Sequence, residues 1–270
     1  MKILKAIARR LLRILEGKRK YQRFFGRLHD VAIAGMNYGK GDEFTTSGEL
    51  VVLRHVHSSL VGVPEDIVLF DVGANLGGYT KALLDQFRMP NVRIHSFEPS
   101  LPTYRRLVDN VGGFAQVKTH NIGLSDETAS RELYTSEGLP GLASVHERRL
   151  AHRNITMKKS EAIQVRTLDD FCAEQGIDRI HFLKMDVEGH ELSVLKGGAR
   201  MLEEGRIFRI QWEFGGTNID SRTFFQDFFY LLKDRYDISR VVSDGLFPIS
   251  RYSESLEIFS TINYFASLRA

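Results

Sequence analysis

Four acidic or histidine side chains lie close together in the stretch KMDVEGHE, residues 184–191. They follow an apolar run typical of a buried strand, so we expect them at a strand end. Histidine has an ordinary pKa near neutrality, and a positioned carboxylate can also accept a proton from a hydroxyl group. We predict Asp186, Glu188 and His190 as candidate catalytic residues, although Glu188 could instead interact with the dipole of the next helix. Glu191 is predicted to be a solvated residue of that helix.

The sequence neither establishes nor excludes a metal site. Asp186 and Glu213 end two successive predicted strands, and their carboxylates could hold a hard divalent cation through oxygen. Two carboxylates are too few to define such a site, so the metal ligands are unknown. Among the histidines, His55 and His57 do not share a helix face because they are two residues apart, and His181 has no ligand-like neighbours in the sequence.

The glycine-rich stretch FDVGANLGGYT, residues 70–80, could hold either a phosphate or a ligand without one. In a dinucleotide-binding loop, G-x-G-x-x-G, the second glycine lets the backbone approach a pyrophosphate. Asn75 occupies that position here, and Asp71 would repel a pyrophosphate. No Gly-Lys-Ser/Thr follows to form a Walker loop. The pattern therefore disfavours a nicotinamide oxidoreductase and favours a ligand with a cationic amino-acid end.

Acidic residues also follow the next two predicted strands. Glu98 ends the second strand, where an acid accepts hydrogen bonds from ribose hydroxyls in nucleotide-binding sheets. Asp126 follows the third strand, where it could meet an adenine amino group. An adenosine with an amino-acid tail and no phosphate is S-adenosyl-L-methionine. We predict this molecule as the cofactor.

Short apolar runs alternate with helical patterns from residue 60 onward, as in a sheet built from βαβ units. In such sheets the ligand binds at the carboxyl ends of the strands, near the point where the strand order reverses. The predicted strands lie at 66–73, 91–99, within 115–126, 179–189 and 206–214, the predicted helices at 77–87, 102–111, 167–176, 190–198 and 221–235, and two antiparallel strands at 236–242 and 261–268.

Residues 127–166 interrupt this rhythm. Two alternating runs, at 130–136 and 162–167, predict an inserted hairpin around a long basic loop that contains Arg148. Long loops inside compact domains are often functional lids, and the basic residues of this one could meet an anionic acceptor. A substrate lid and a solvated surface excursion are equally compatible with the sequence.

The ordered motifs DVGANLGGYT, FEPS, NIGLSD, VRTLDDF and FLKMDVEGHELSVLKGG resemble the FkbM family of S-adenosylmethionine-dependent methyltransferases. The resemblance covers roughly residues 45–267. It implies an α/β, Rossmann-like class I methyltransferase fold with a seven-stranded, mostly parallel sheet, helices on both faces and a reversed last strand. We expect a basic amphipathic N-terminal helical extension at 1–44 and the methyltransferase domain at 45–270.

The same resemblance assigns residues to the cofactor. Asp186 would lie beneath its methionine part, and the loop, ribose and adenine contacts follow from the matched motifs. The cofactor-binding residues implied are Asp71, Gly73, Asn75 and Gly77 in the loop, Glu98 at the ribose, Ser125 and Asp126 at the adenine, and Ser47 and Glu49 in the preceding TTSGE segment.

The charge of the chain is concentrated at its start. Residues 1–30 carry ten Lys or Arg against two acidic residues, a net charge of +8, so the other 240 residues carry −5 of the total of +3. Apolar residues in 1–15 fall on one helical face, which is typical of a helix that lies on an anionic membrane, packs on a protein surface or binds nucleic acid. We leave these three interpretations open, with peripheral membrane contact placed in residues 1–27.

The resemblance implies an O-methyltransferase acting on a hydroxyl group, most simply of a sugar in a glycan or glycosylated metabolite. Alternatives are a non-sugar secondary metabolite as acceptor, or a non-catalytic cofactor-binding protein of the same fold. A nucleic-acid methyltransferase is disfavoured, because no D/N-P-P-Y/F stretch follows the fourth strand. The single cysteine, Cys172, excludes an internal disulfide and suits the cytoplasm, with the inner face of the membrane as a second location and a homo-oligomer as a candidate assembly.

Overall fold

The computed structural model describes residues 13–40, 46–136 and 139–269 of the chain. From residue 67 onward, strands and helices alternate. The strands in these parts are β1 (Ile67–Val72), β2 (Val92–Phe97), β3 (Val117–His120), β4 (Gly123–Ser125), β5 (Ala129–Ser136), β6 (Leu139–Ser144), β7 (Lys158–Thr167), β8 (Phe182–Met185), β9 (Arg209–Phe214), β10 (Tyr236–Val242), β11 (Gly245–Pro248) and β12 (Ile262–Leu268).

The helices confirm the alternation that the sequence predicts. Each of the five predicted helices is found within a few residues of its expected bounds, and four further helices accompany them in the described residues. The α-helices are α1 (Gln22–Gly35), α2 (Glu49–Leu60), α3 (Gly78–Gln86), α4 (Leu101–Val111), α5 (Leu168–Gln175), α6 (Glu191–Gly197), α7 (Ala199–Glu203), α8 (Thr217–Ser221) and α9 (Phe225–Leu232), with short 3₁₀ helices at Arg19–Tyr21, Ala151–Arg153 and Glu254–Leu256.

The main sheet has the strand order β11-β10-β12-β9-β8-β1-β2-β3. Strands β3, β2, β1, β8 and β9 are parallel, whereas β12 runs antiparallel to both β9 and β10. This order, with its reversed strand between β9 and β10, is that of the class I methyltransferase fold. The chain crosses over between β1 and β8, so the point where a ligand is expected lies there.

The strand count differs from the prediction of seven. In the described residues the main sheet has eight strands, because β11 folds back on β10 through a two-residue turn and pairs with it from Val242 to Ser239. The short run GLFP carries no alternating pattern that would mark a strand. Its pairing follows from the turn and from a free sheet edge beside it.

The insertion folds as a second sheet of order β4-β7-β5-β6. The two alternating runs pair antiparallel as β5 and β7. The segment between them is not all loop, because β6 also pairs with β5. Strand β4, which precedes the predicted insertion, joins this sheet by pairing parallel with β7. The second sheet is therefore attached next to the carboxyl end of β3.

The core consists of two apolar layers on opposite faces of the main sheet. Successive side chains of a strand point to opposite faces. In β1, Ile67 and Leu69 belong to one layer, whereas Phe70 and Val72 belong to the other. Strands buried on both faces read as continuous apolar runs, which is why β1 was predictable from sequence.

The N-terminal extension is only partly described. Residues 1–12, which hold much of the predicted amphipathic pattern, lie outside the described residues, as do 41–45 with the first residue of TTSGE. Within the described ranges, no helix combines the length and apolar character needed to cross a bilayer.

Candidate active site

The loops after β1, β2 and β8 meet at the crossover of the main sheet and enclose an open cavity of about 760 Å³. Strand β4 and the second sheet form its other side. This volume includes the open solvent at the mouth of the cavity. The predicted site residues that line it are Gly73, Asn75, Glu98, Asp186, Glu188 and His190.

Gly73 brings two of these loops into backbone contact. Its φ of +79° lies in the left-handed region, and a Cβ at this position would overlap the carbonyl oxygen of Asp186. A side chain would therefore push the β1–α3 loop away from the β8–α6 loop. The glycine pattern in the sequence indicates this close approach correctly, although the partner is protein backbone.

Glu98 and Asn75 form a set of hydrogen-bond acceptors on one wall of the cavity. Glu98 Oε2 accepts a bond from the Asn75 backbone N–H at 3.0 Å, and Oε1 accepts one from the Ser100 N–H at 2.9 Å. Each carboxylate oxygen keeps a further lone pair. Asn75 Oδ1 is buried and has no partner among the described residues. These acceptors fit the hydroxyl and amino donors of an adenosine.

Burial sets the charge state of Glu98. The side chain is 8% exposed, and this burial raises its pKa to about 7, although the two backbone N–H bonds and neighbouring charges act on it as well. The carboxyl is therefore close to its midpoint at neutral pH. A ligand that donates hydrogen bonds to it would favour the ionised form.

Asp71 lies beneath the loop and does not line the cavity. It is fully buried, it accepts a bond from Thr80 Oγ1 at 2.7 Å, and Lys184 Nζ lies 3.3 Å from its Oδ1. Its charge is thus compensated by the protein, whereas the sequence analysis placed it against a cationic ligand. The structural reason is the register of β1 and β8, which sets Asp71 beside Lys184.

Lys184 is a site residue that the sequence analysis missed. Its ammonium lies between Asp71 and Asp186, 3.6 Å from the latter, and over the ring of Tyr79. Burial acts to lower its pKa, but the nearby carboxylates outweigh burial and raise it above its ordinary value. A lysine inside the apolar run FLKM was the available signal, because buried lysines are almost always paired.

Gly77 and Glu49 also lie away from the cavity lining. Gly77 has a φ of +84° at the start of α3, and a Cβ there would press on Leu107 and Val111 of α4. Glu49 accepts bonds from Ser47 Oγ at 3.1 Å and Gln211 Nε2 at 3.2 Å.

Glu49 belongs to a buried polar network behind the site. Burial raises its pKa to about 7, and Lys184 opposes this increase. Gln211, at the centre of the network, also accepts a bond from Tyr79 at 2.9 Å and donates one to Asn263 at 3.1 Å. The predicted segment before the domain therefore packs against the residues under the site.

A chain of hydrogen bonds joins Asp126, Ser125, His190 and His146. Ser125 Oγ donates to Asp126 Oδ1 at 3.0 Å and lies 2.9 Å from His190 Nε2. His190 Nδ1 lies 3.3 Å from His146 Nε2. Ser125 is buried and Asp126 is exposed, and neither lines the cavity. The bond from Ser125 helps to lower the pKa of Asp126, although partial burial acts to raise it.

His190 is less suited to a base role than its type suggests. Burial, reinforced by His146, lowers its pKa to about 4. The ring is therefore neutral at pH 7, and both of its nitrogens already have partners. It forms part of the cavity wall and links the second sheet to the main domain.

Three carboxylates meet at the ends of β8 and β9. One oxygen each of Asp186, Glu188 and Glu213 lies within 4.8 Å of the others, and this trio could hold a divalent cation. Glu188 Oε2 accepts a bond from Arg148 Nη1 at 2.7 Å. Burial raises the pKa of Glu213 well above its ordinary value, with contributions from Asp186 and Glu188. The ion pair of Glu188 with Arg148 reduces the repulsion within the trio, and the raised pKa of Glu213 acts in the same direction.

The prediction that Glu191 is solvated is wrong. Its side chain is 1% exposed, and Oε1 accepts bonds from the N–H groups of Val187 and Gly189. Burial raises its pKa to about 7. The short loop between β8 and α6 leaves these two N–H groups unpaired, and Glu191 at the start of α6 is placed to satisfy them.

The second sheet supplies an apolar wall opposite Glu98, which the sequence analysis did not identify. Ser144 Oγ donates to the Glu188 carbonyl at 2.8 Å and so ties this sheet to the β8–α6 loop. Arg148, predicted as part of a solvated or anion-binding loop, is buried against Glu188, whereas Arg149 and Arg153 are exposed. The apolar lining residues are Leu133, Ala143, Val145, Ile163 and Val165, with Leu124 beneath them.

Comparison with known proteins identifies a family whose model matches this chain. The model of the methyltransferase FkbM domain matches residues 71–237. Relatives include a 2-O-methyltransferase, NoeI, of Sinorhizobium fredii, 27% identical over 58% of this chain and 68% of its own length. A 31-O-demethyl-FK506 methyltransferase, FkbM, of Streptomyces tacrolimicus is 33% identical over 50% of this chain and 60% of its own length.

A third relative is a hexuronic acid methyltransferase, AglP, of Haloferax volcanii. It is 29% identical over 58% of this chain and 59% of its own length. The match to the relatives from Streptomyces and Haloferax thus spans about six tenths of each protein.

Proposed function

The chain belongs to the FkbM methyltransferase family, and we propose that it transfers a methyl group from S-adenosyl-L-methionine to a hydroxyl group of a sugar, in a glycan or a glycosylated metabolite. The observation that carries this proposal is the cavity itself. It has hydrogen-bond acceptors for an adenosine on one side and carboxylates that can accept a proton on the other.

The residues of the cavity fit S-adenosylmethionine. Glu98 would accept hydrogen bonds from the ribose hydroxyls, and Asn75 Oδ1 offers a buried acceptor that lacks a partner in the described residues. The apolar wall from the second sheet would exclude water from the adenine. When bound, the cofactor supplies a methyl group that is already activated on a sulfonium sulfur.

The charge of the site supports this assignment. Lys184 compensates only one of the two carboxylates beside it, Asp71 and Asp186. Arg148 pairs with Glu188, and the raised pKa of Glu213 favours its neutral form. The carboxylates near the cavity therefore outnumber their cationic partners, and the negative charge that they leave complements a sulfonium cation.

We assign proton removal from the acceptor hydroxyl to Asp186. It lines the cavity, its side chain is 41% exposed, and Lys184 lies at one of its oxygens. Bound in the cavity, S-adenosylmethionine would supply its methyl group to the hydroxyl oxygen and leave as the neutral thioether, and Asp186 would take the hydroxyl proton. Glu188 is held by Arg148, so we place it in positioning.

A neutral sugar fits this charge distribution better than an acidic one. An anionic acceptor would approach the negative charge of the site, and Arg148 and Lys184, two buried cations beside the cavity in the described part of the chain, are both already paired. The relatives support O-methylation in two of three names, and one name specifies a sugar acid. The sugar acid in that name stands against a neutral acceptor, so our proposal of a neutral sugar hydroxyl rests on the charge distribution of the site alone.

The Asp186→Asn variant tests this assignment of roles. Calorimetry should still detect S-adenosylmethionine binding, weakened because a charge that complements the sulfonium is lost, with no NAD binding by either protein. Methyl transfer to the best acceptor of a glycan panel should fall by about 10²–10⁴-fold, as for loss of a general base. Equal rates in both proteins would exclude Asp186 as the base.

Chelation decides whether a divalent cation also belongs to the site. If the trio of Asp186, Glu188 and Glu213 holds one, EDTA abolishes transfer and Mg²⁺ restores it. If the carboxylates act alone, EDTA leaves the rate unchanged. The Glu213→Gln variant separates the two cases further. If the trio holds a cation, this variant should need a higher Mg²⁺ concentration than wild type to support transfer.

A further inference from the structure

No residue in the described part of the chain covers an apolar stripe on helix α1. Phe24, Leu28 and Val31 are 50%, 47% and 70% exposed. They are spaced four and three residues apart, so they share one face of the helix. The helix has no buried residue. Three large apolar side chains in a row on an exposed helix point to an interaction surface.

A different face of α1 holds the helix on the domain. Ile33 on this face, and Met36 directly after the end of α1, pack against the main core. The chain just after the helix is fixed by Tyr38, which is 2% exposed, and by a bond from the Gly39 N–H to the Thr261 carbonyl at 2.8 Å. The exposed stripe is therefore not needed to attach the helix.

Basic side chains accompany the stripe. Between residues 13 and 31, six exposed Lys or Arg face only two acidic residues, Glu16 and Asp30. Within the described ranges none of the six forms an ion pair. At 100° per residue, Arg23 and Arg27 flank the stripe on one side. The six residues are Arg13, Lys18, Arg19, Lys20, Arg23 and Arg27.

The combination of exposed apolar and basic side chains on α1 favours one kind of partner. A second copy of the chain would bring another cationic stripe, and the two would repel each other. A nucleic acid would use the charges but leave the three apolar side chains in water. An anionic bilayer uses both, because the apolar face enters the acyl boundary and the basic residues meet the headgroups.

We propose that α1, through Phe24, Leu28 and Val31 together with Arg23 and Arg27, docks the protein on the surface of an anionic phospholipid bilayer. The helix lies in the plane of the surface and does not cross it. Docking of this kind would bring the active site to acceptors carried on lipids. It is independent of which hydroxyl is methylated.

Vesicle flotation of the full chain tests the proposal. The protein should float with phosphatidylcholine vesicles that contain phosphatidylglycerol, and not with pure phosphatidylcholine. Phe24→Ser with Leu28→Ser and Val31→Ser, and separately Arg23→Gln with Arg27→Gln, should each lower the partition coefficient at least about tenfold. Methyl transfer to a water-soluble acceptor should be unchanged in both variants.

Matched controls come from exposed residues elsewhere. Phe114→Ser removes a side chain that is 47% exposed, and Arg105→Gln with Arg106→Gln removes two exposed charges on α4. Neither control should change partitioning. The proposal is overturned if binding to neutral vesicles is equal, or if the controls reduce binding as much as the α1 variants.

Two other results would also overturn it. The first is a dimer, measured by sedimentation velocity, that the Phe24, Leu28 and Val31 substitutions dissociate, because it would identify a second copy of the chain as the partner. Salt-sensitive binding to RNA, stronger than to anionic vesicles and lost only with Arg23 and Arg27, would identify a nucleic acid.

Discussion

At the scale of single residues, the site depends on how buried charges are paired. Lys184 stands between Asp71 and Asp186 and leaves Asp186 open to the cavity. Glu98 has its carboxyl oriented by two backbone N–H groups and keeps free lone pairs. Both side chains combine a structural duty with a proposed chemical one, so variants must separate the two.

Cofactor affinity should depend on pH through Glu98. The pKa of its carboxyl is raised to about 7 in the unliganded protein. Only the ionised form can use both oxygens as full acceptors for the ribose hydroxyls. Affinity should therefore rise with pH through about 7 and fall by up to about tenfold for each unit below it. Calorimetry between about pH 6 and pH 8, one unit either side of that midpoint, measures this.

Two substitutions sharpen that measurement. Glu98→Gln should weaken binding and remove the pH dependence. Glu191→Gln is the matched control, because Glu191 also has a pKa raised to about 7 but does not line the cavity. A pH slope that persists in Glu98→Gln and disappears in Glu191→Gln would contradict the assignment of Glu98 to the ribose.

Breaking the buried pair should destabilise the protein strongly. Lys184→Met leaves Asp71 charged and buried, which costs about 3–5 kcal/mol of unfolding free energy. Adding Asp71→Asn should recover a large part of that loss, because the uncompensated charge is removed. Urea unfolding of both single variants and the double variant gives the coupling energy.

An exposed ion pair provides the comparison. Arg88 and Asp85 lie 3.6 Å apart and are both 80% exposed. Arg88→Met should cost less than about 1 kcal/mol. If Lys184→Met cost no more than this, the pairing of Lys184 with Asp71 would not be the main support of the site.

At the scale of elements, the loop after β1 is fixed by close contact with the loop after β8. Gly73→Ala should cost at least about 2 kcal/mol and weaken cofactor binding, because φ is positive and the added Cβ overlaps the Asp186 carbonyl. Gly78→Ala is the control, since its Cβ would meet no atom within 4 Å. Thermal unfolding and calorimetry should show no loss for Gly78→Ala.

The elements also show how far sequence reasoning reaches. Strands β1 and β2 are apolar runs closed by turn residues, so their position and the switch point follow from pattern alone. Strands β6 and β11 were not predictable, because their pairing depends on neighbouring strands that only the fold brings close. Glu98 and Asn75 could be placed at the cavity from their position after strands.

Residues missed or misplaced share a physical cause. Asp71, Lys184 and Glu191 have roles set by cross-strand register and by unpaired N–H groups in a three-dimensional loop. A linear sequence does not record which two strands are adjacent. The apolar wall opposite Glu98 was missed for the same reason, since the second sheet reaches the cavity only after β4 pairs with β7.

At the scale of the whole molecule, the proposed catalytic residues and the proposed docking residues lie on different elements. The main sheet carries the proposed cofactor and proton-accepting residues, the second sheet closes one side of the cavity, and α1 presents basic and apolar side chains away from the core. The body is net negative while the first 30 residues are strongly positive. Catalysis and docking are therefore separable by substitution.

The acceptor panel should distinguish neutral from acidic sugars. Because the charge left near the cavity is negative, a neutral glycoside should give a higher kcat/KM than the matching uronic acid, by about tenfold or more. The difference should shrink at high salt. A preference for the uronic acid at low salt, without any divalent cation, would contradict the proposed charge balance.

The most direct test of the central claim is to follow the methyl group itself. The protein is incubated with S-adenosylmethionine carrying a ¹³C-labelled methyl and with a panel of neutral glycans, and the products are examined by NMR. We predict a labelled methyl ether on a sugar oxygen, formed by wild type and lost in Asp186→Asn. Label found on nitrogen or carbon, or no transfer to any hydroxyl while the cofactor binds, would contradict the account.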